Sequence, residues 1–150
     1  MKRIGVIDGQ GGGIGAALIK GLKEAYGETI ELIALGTNAI AAAQMLKAGA
    51  NRAASGENAI VRTSATADVI VGTVAICWAN AMLGEITPRM AEAVTSSAAP
   101  KFLLPLAQEN VTIVGVTTEP LPHLVQQLIW KNITTFMEVS GCVKPTRTSR

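Results

Sequence analysis

Ile4-Gly5-Val6-Ile7-Asp8-Gly9-Gln10-Gly11-Gly12-Gly13-Ile14-Gly15 runs from an apolar segment into a loop with five glycines in seven residues. The apolar run predicts a buried strand over residues 3–7, and helical periodicity takes over from Ile14 to Tyr26. Glycine tolerates positive φ and lets backbone N–H groups approach a ligand closely. A strand, such a loop and a helix N-terminus together form an anion site, because free amides and the helix dipole both favour negative charge. The expected binding residues are Asp8, Gly9, Gln10, Gly11, Gly12, Gly13, Ile14 and Gly15, joined by Thr37 and Asn38 after the second strand. A second purpose of the glycines is tight packing of the helix on the strand.

Outward from this loop the pattern is that of an α/β protein. Residues 30–35 predict a second strand and residues 39–48 a second helix, stopped by Gly49. Residues 51–58 read as a small-residue loop. A short helix follows over about residues 57–65 with Ser55 as cap, then a buried strand over 68–72. The apolar residues 74–83 are expected to be helical, and Thr87-Pro88 opens another helix to Ser96 as a threonine cap with proline at the first position. Residues 101–104 and 111–116 predict two strands whose short connection, starting at Pro105, requires an antiparallel edge hairpin. A last helix follows Pro120 and Pro122, with Leu124, Val125, Leu128, Ile129, Ile133, Phe136 and Met137 facing inward. The expected architecture is a three-layer Rossmann-like α/β sandwich, its sheet mostly parallel with an antiparallel edge hairpin. Residues 1–140 form one domain and 141–150 a flexible C-terminal tail.

Composition bounds the partners. The chain has 150 residues, 49% hydrophobic and only 16% charged, against about 25% charged in average globular chains. So few charges cover a surface poorly, which predicts a homo-oligomer. A formal net charge of +2 without a basic stripe argues against nucleic acid. The apolar stretch 69–83 is too short for a bilayer span, which needs about 20 residues. Cys77 and Cys142 lie far apart without metal-ligand spacing and read as reduced thiols, so no metal and a cytoplasmic location are expected.

The glycine spacing fits two registers. Gly11-x-Gly13-x-x-Ala16 matches the dinucleotide fingerprint G-x-G-x-x-A. Gly9-x-x-x-Gly13-Ile14-Gly15 resembles the cofactor turn of the short-chain dehydrogenase/reductase family over roughly the first 35 residues. That resemblance implies that Gly9, Gly13 and Gly15 shape a pyrophosphate turn, with NAD(P) or another nucleotide as ligand. The chain departs from the family at Asp8, where a carboxylate would repel a pyrophosphate, and at Leu35-Gly36-Thr37-Asn38, which lacks the acid that holds an NAD ribose. Its single tyrosine, Tyr26, lies in the first helix and no Tyr-x-x-x-Lys exists, which excludes the mechanism of that family.

Elsewhere the residue types leave alternatives. Asp8 can hold a metal-bridged phosphate, accept from a ribose, or brace the loop amides. Thr37-Asn38 can cap the second helix or touch ligand, and Gly56-Glu57-Asn58 can open a helix near the crevice. Asn80 needs a backbone or ligand partner within its apolar stretch. Glu85 can cap the helix after Pro88 or act as a base. His123, the lone histidine, has no carboxylate or cysteine at a catalytic spacing, and Cys77 reads as core. The whole chain, about residues 3–135, also resembles a family of small bacterial proteins known only as a domain of unknown function. The segments that carry this resemblance are residues 8–15, 34–38, 45–50, 56–59, 82–88 and 119–123.

The expected function is binding of a nucleotide or other small phosphorylated ligand at residues 9–15, as a sensor or accessory protein. One alternative is a small enzyme, a reductase or one acting on a phosphorylated metabolite, with Asp8, Glu85 or His123 as acid or base. A second is a structural oligomer without ligand.

Overall fold

The computed structural model describes residues 1–106 and 109–141. Five strands form one sheet: β1 (Lys2–Asp8), β2 (Ile30–Gly36), β3 (Arg52–Ser55), β4 (Val69–Thr73) and β5 (Lys101–Leu104). Their spatial order is β3-β2-β1-β4-β5 and every pairing is parallel. This is the order of a doubly wound sheet, and its winding reverses between β1 and β4. Around it pack α1 (Gly13–Tyr26), α2 (Ala39–Lys47), α3 (Glu57–Ser64) and α4 (Pro88–Ser96). The C-terminal helix comprises α5 (Leu121–Gln127), a π-helical segment (Leu128–Ile133) and α6 (Thr134–Val139). The result is a Rossmann-like three-layer sandwich.

Strand alternation divides the core. Ile4 and Val6, Leu32 and Ala34, and Val69 and Val71 are buried with Leu18, Leu22, Met45 and Ile129 on one face of the sheet. Ile7, Leu35 and Ile70 are buried with Ile60, Met90 and Val94 on the other. The period-2 switch follows from the pleat, which sends successive side chains to opposite faces. Two caps form as their residue types dictate. Asn38 Oδ1 accepts from the Ala41 amide at 2.8 Å to start α2, and Thr87 Oγ1 accepts from Met90 at 3.1 Å to start α4. Among the described residues, no helix is long and apolar enough to cross a membrane.

Several local expectations fail. No antiparallel edge hairpin forms: α4 supplies the crossover that carries the chain into β5 parallel to β4, and residues 111–116 form no strand. Their β-branched side chains stay largely exposed, Val114 at 94%. Residues 74–83 are not a helix; a 3-10 turn (Val74–Cys77) gives way to turns with positive φ at Asn80, Met82 and Leu83. Asn80 is exposed, so its side-chain amide needs no buried partner, and its backbone N–H donates to Ile86 O at 2.7 Å. The segment expected to be loop contains β3, held by pairing with β2 rather than by β propensity. Gly56, not Ser55, is the cap of α3. The expected tail, apart from Gly141, and Cys142 lie outside the described residues.

Candidate functional site

The site forms at the carboxyl ends of β1, β2 and β4. Asp8 ends β1 and is 6% exposed. Its Oδ1 accepts from the Gly9 amide at 2.8 Å and its Oδ2 from the Gly15 amide at 2.7 Å. The carboxylate thus ties the start of the glycine loop to the first turn of α1, which is the bracing role among its three alternatives. Burial pushes the Asp8 carboxyl above its usual range; the Gly15 and Gly9 amides pull it back, and the charge of Glu85 adds to the rise.

The five glycines separate into two kinds. Gly9, Gly12 and Gly15 are buried, and Gly11 and Gly13 are exposed. A Cβ on Gly9 would lie 2.6 Å from Thr37 Oγ1 and 2.7 Å from Met82 Sδ, and one on Gly15 would lie 2.8 Å from Asp8 Cβ. Gly12 has φ 76° and passes so close to α2 that a Cβ would lie 2.8 Å from Ala41 Cα. These three glycines serve packing. At Gly11 and Gly13 an added Cβ would meet nothing within 4 Å, so packing explains neither.

The loop amides separate in the same way. Those of Gly9 and Gly15 go to Asp8, that of Gln10 to Glu85 Oε1 at 3.0 Å, and that of Gly12 to Gly9 O at 3.0 Å. The amides of Gly11, Gly13 and Ile14 have no hydrogen-bond partner among the described residues. They lie at the first turn of a 14-residue helix, where the dipole favours an anion.

Glu85 closes the β2 side of the site. Its Oε1 accepts from Thr37 Oγ1 at 2.6 Å and from Asn38 Nδ2 at 2.7 Å as well as from Gln10. Asn38 also donates to Gln10 O at 3.0 Å. Burial alone would raise the Glu85 carboxyl, but the donors Thr37, Gln10 and Asn38 outweigh it and hold the group below its usual range. A lowered folded pKa contributes stability above the unfolded pKa, and that contribution is lost as pH falls through the folded value. Glu85→Gln is therefore expected to cost about 1–2 kcal/mol near neutral pH. The difference should vanish in acid, where both forms are neutral; paired urea titrations at both pH values check it.

On the β1–β4 side lies a cavity of about 430 Å³, lined by Asp8, Gln10, Ile14, Thr73, Met82 and Glu109 among others. Thr73, at the end of β4, is 3% exposed and its hydroxyl is buried without a partner. Glu109 Oε1 accepts from the Met82 amide at 2.8 Å. Gln10, Met82 and Leu83, which border this cavity, all have positive φ. Such backbone is unfavourable for non-glycine residues and concentrates at functional sites.

The structure therefore brings together Asp8, the glycine loop, Thr37, Asn38 and Glu85. It leaves the other candidates apart from the cavity. His123 is exposed on α5. Glu57 accepts from Thr87 Oγ1 at 2.7 Å and joins α3 to α4. Burial pushes the Cys77 thiol up, against a smaller pull from Lys101, which makes it a poor nucleophile. Among the described residues, no group of three or more His, Cys, Asp or Glu side chains gathers as a metal ion would need. Thr73, Met82 and Glu109 escaped the sequence reading. For Thr73 one signal existed: it ends the strand on the far side of the winding reversal, where ligands of open α/β sheets bind.

No curated protein matches this sequence. A family model described as Domain of unknown function (DUF3842) matches residues 3–137, which takes in all of the sheet but Lys2, the glycine loop and the cavity. The chain belongs to that family of unknown function.

Proposed function

We propose that this chain binds a small phosphorylated molecule, acting as a sensor or accessory protein. The phosphate would take the amides of Gly11, Gly13 and Ile14, and the organic part would enter the cavity between β1 and β4. The observation that carries this reading is the set of three unpartnered amides at the mouth of α1, with open space at Gly11 and Gly13. The cavity of about 430 Å³ beside the loop, which Asp8, Gln10 and Ile14 help to line, leaves room for the organic part.

An extended nicotinamide dinucleotide fits less well. Its usual path crosses the end of β2, where Thr37 and Asn38 already donate to Glu85. A ligand no larger than a mononucleotide avoids displacing that carboxylate. The enzyme alternative has little support from the three acid/base candidates as placed: Asp8 and Glu85 are engaged with loop donors, and His123 is exposed on α5.

A thermal-shift panel of inorganic phosphate, sugar phosphates, nucleoside mono- and diphosphates and NAD(P) tests the proposal. A ligand at 100 times its Kd adds about 2.7 kcal/mol, a rise of several degrees in Tm for a chain of this size. A rise with at least one monophosphate is expected. No shift across the panel rules the proposal out.

A further inference from the structure

Resting on that reading, we infer that Glu109 sets the charge selectivity of the site, which takes a monophosphate whose organic part carries no second anionic group. With the phosphate on the amides of Gly11, Gly13 and Ile14, the rest of the ligand meets the cavity of about 430 Å³. That volume lies in the range of small-molecule sites, about 300–1,000 Å³. Ile14, Ala75, Met82, Leu83 and Leu106 make much of its wall apolar. Asp8 and Glu109 bring two carboxyl groups, and among the described residues no Lys, Arg or His lines it. An anion entering such a wall loses water and gains no counter-charge. The first phosphate is answered by three amides and the α1 dipole; a second anion is not.

Of the two carboxyl groups, Glu109 is the one with an oxygen left to meet a ligand. Both Asp8 oxygens accept loop amides, those of Gly9 and Gly15. Glu109 is half-buried; its Oε1 accepts from the Met82 amide at 2.8 Å, and its Oε2 has no hydrogen-bond partner among the described residues. An ionised carboxylate only accepts, so it offers a second phosphate or a carboxylate nothing but repulsion. Glu85, bonded to the Gln10 amide, adds charge of the same sign beside the loop. A neutral organic part meets none of this opposition.

The test is calorimetric titration of the full chain and of Glu109→Gln with glycerol 3-phosphate, 3-phosphoglycerate and inorganic phosphate. The first two are close in size and differ in a neutral CH₂OH against a carboxylate. The parent should bind glycerol 3-phosphate at least about tenfold more tightly than 3-phosphoglycerate, about 1.4 kcal/mol. Glutamine keeps an oxygen that accepts from Met82. In Glu109→Gln the ratio should fall to about threefold or less, through tighter binding of 3-phosphoglycerate, because the repelling charge is gone. In the parent the ratio should also shrink as salt rises to about 1 M, where charge repulsion is screened and a misfit of shape is not. If glycerol 3-phosphate binds but gains nothing over 3-phosphoglycerate, or the ratio survives in Glu109→Gln, the inference is overturned and the phosphate reading stands. Should the variant not fold, the salt series on the parent decides, and a ratio unchanged by salt overturns the inference. If none of the three compounds binds, the phosphate reading itself falls.

Discussion

Asp8→Ala is expected to lower folding stability by about 2–6 kcal/mol, because each of two buried amides left without an acceptor costs about 1–3 kcal/mol. Those amides belong to Gly9 and Gly15, both buried. Asp8→Asn keeps one acceptor oxygen and should lie between the parent and alanine. Denaturant unfolding of the three proteins measures the series. A loss under 1 kcal/mol for alanine would show that the bridge does not hold the loop.

The same residue carries a pH signature. Burial raises the Asp8 carboxyl in the folded state. A raised folded pKa means that the stabilising contribution is full below the unfolded value and is lost as pH rises through the folded one. The gap between parent and Asp8→Ala should therefore be widest in acid and narrow toward neutral pH. Glu85→Gln should give the opposite slope, since donors hold that carboxyl low. Opposite slopes from two neighbouring carboxylates are hard to obtain from a general acid effect.

The second large effect separates the glycines. Gly12→Val is expected to cost about 2–5 kcal/mol, from about 1–2 for a left-handed non-glycine backbone and about 1–3 for overpacking. Its Cβ would press on the backbone of Ala41, which belongs to α2 and cannot turn aside as a side chain can. Gly13→Val meets open space and has no positive φ, so its fold should be kept to within about 0.5 kcal/mol. Its side chain would crowd the unpartnered amides, and the thermal shift given by a phosphorylated ligand should disappear. Equal stability losses in the two variants would remove the division between packing and ligand-facing glycines.

Much of this arrangement was legible in the residues. The first strand, the glycine loop, α1 and the caps at Asn38 and Thr87 depend on short-range chemistry, and all form about where the sequence places them. What was hidden depends on distant partners. Arg52-Ala53-Ala54-Ser55 has no strand signature and becomes β3 only because the edge of β2 is open to it. In residues 74–83 only Ala75, Ile76 and Ala81 are buried, packed in the second core cluster, and no helical period accompanies that burial. Residues 111–116 have strand propensity yet pair with no strand, although β5 has only β4 as a neighbour. In the site, five glycines announced a loop, but Ala41 and Thr37 decide which of them face inward. Thr73 was masked by its own type, since threonine at the end of a buried strand reads as a strand former.

The most direct test follows the loop amides themselves by ¹⁵N–¹H correlation spectra during titration with ribose 5-phosphate and, separately, inorganic phosphate. Binding at the unpartnered amides predicts large saturable shifts at Gly11, Gly13 and Ile14, and smaller ones at Gly9 and Gly15, whose amides stay on Asp8. Saturable shifts confined to other residues, or none at those three, would contradict a phosphate site at the mouth of α1.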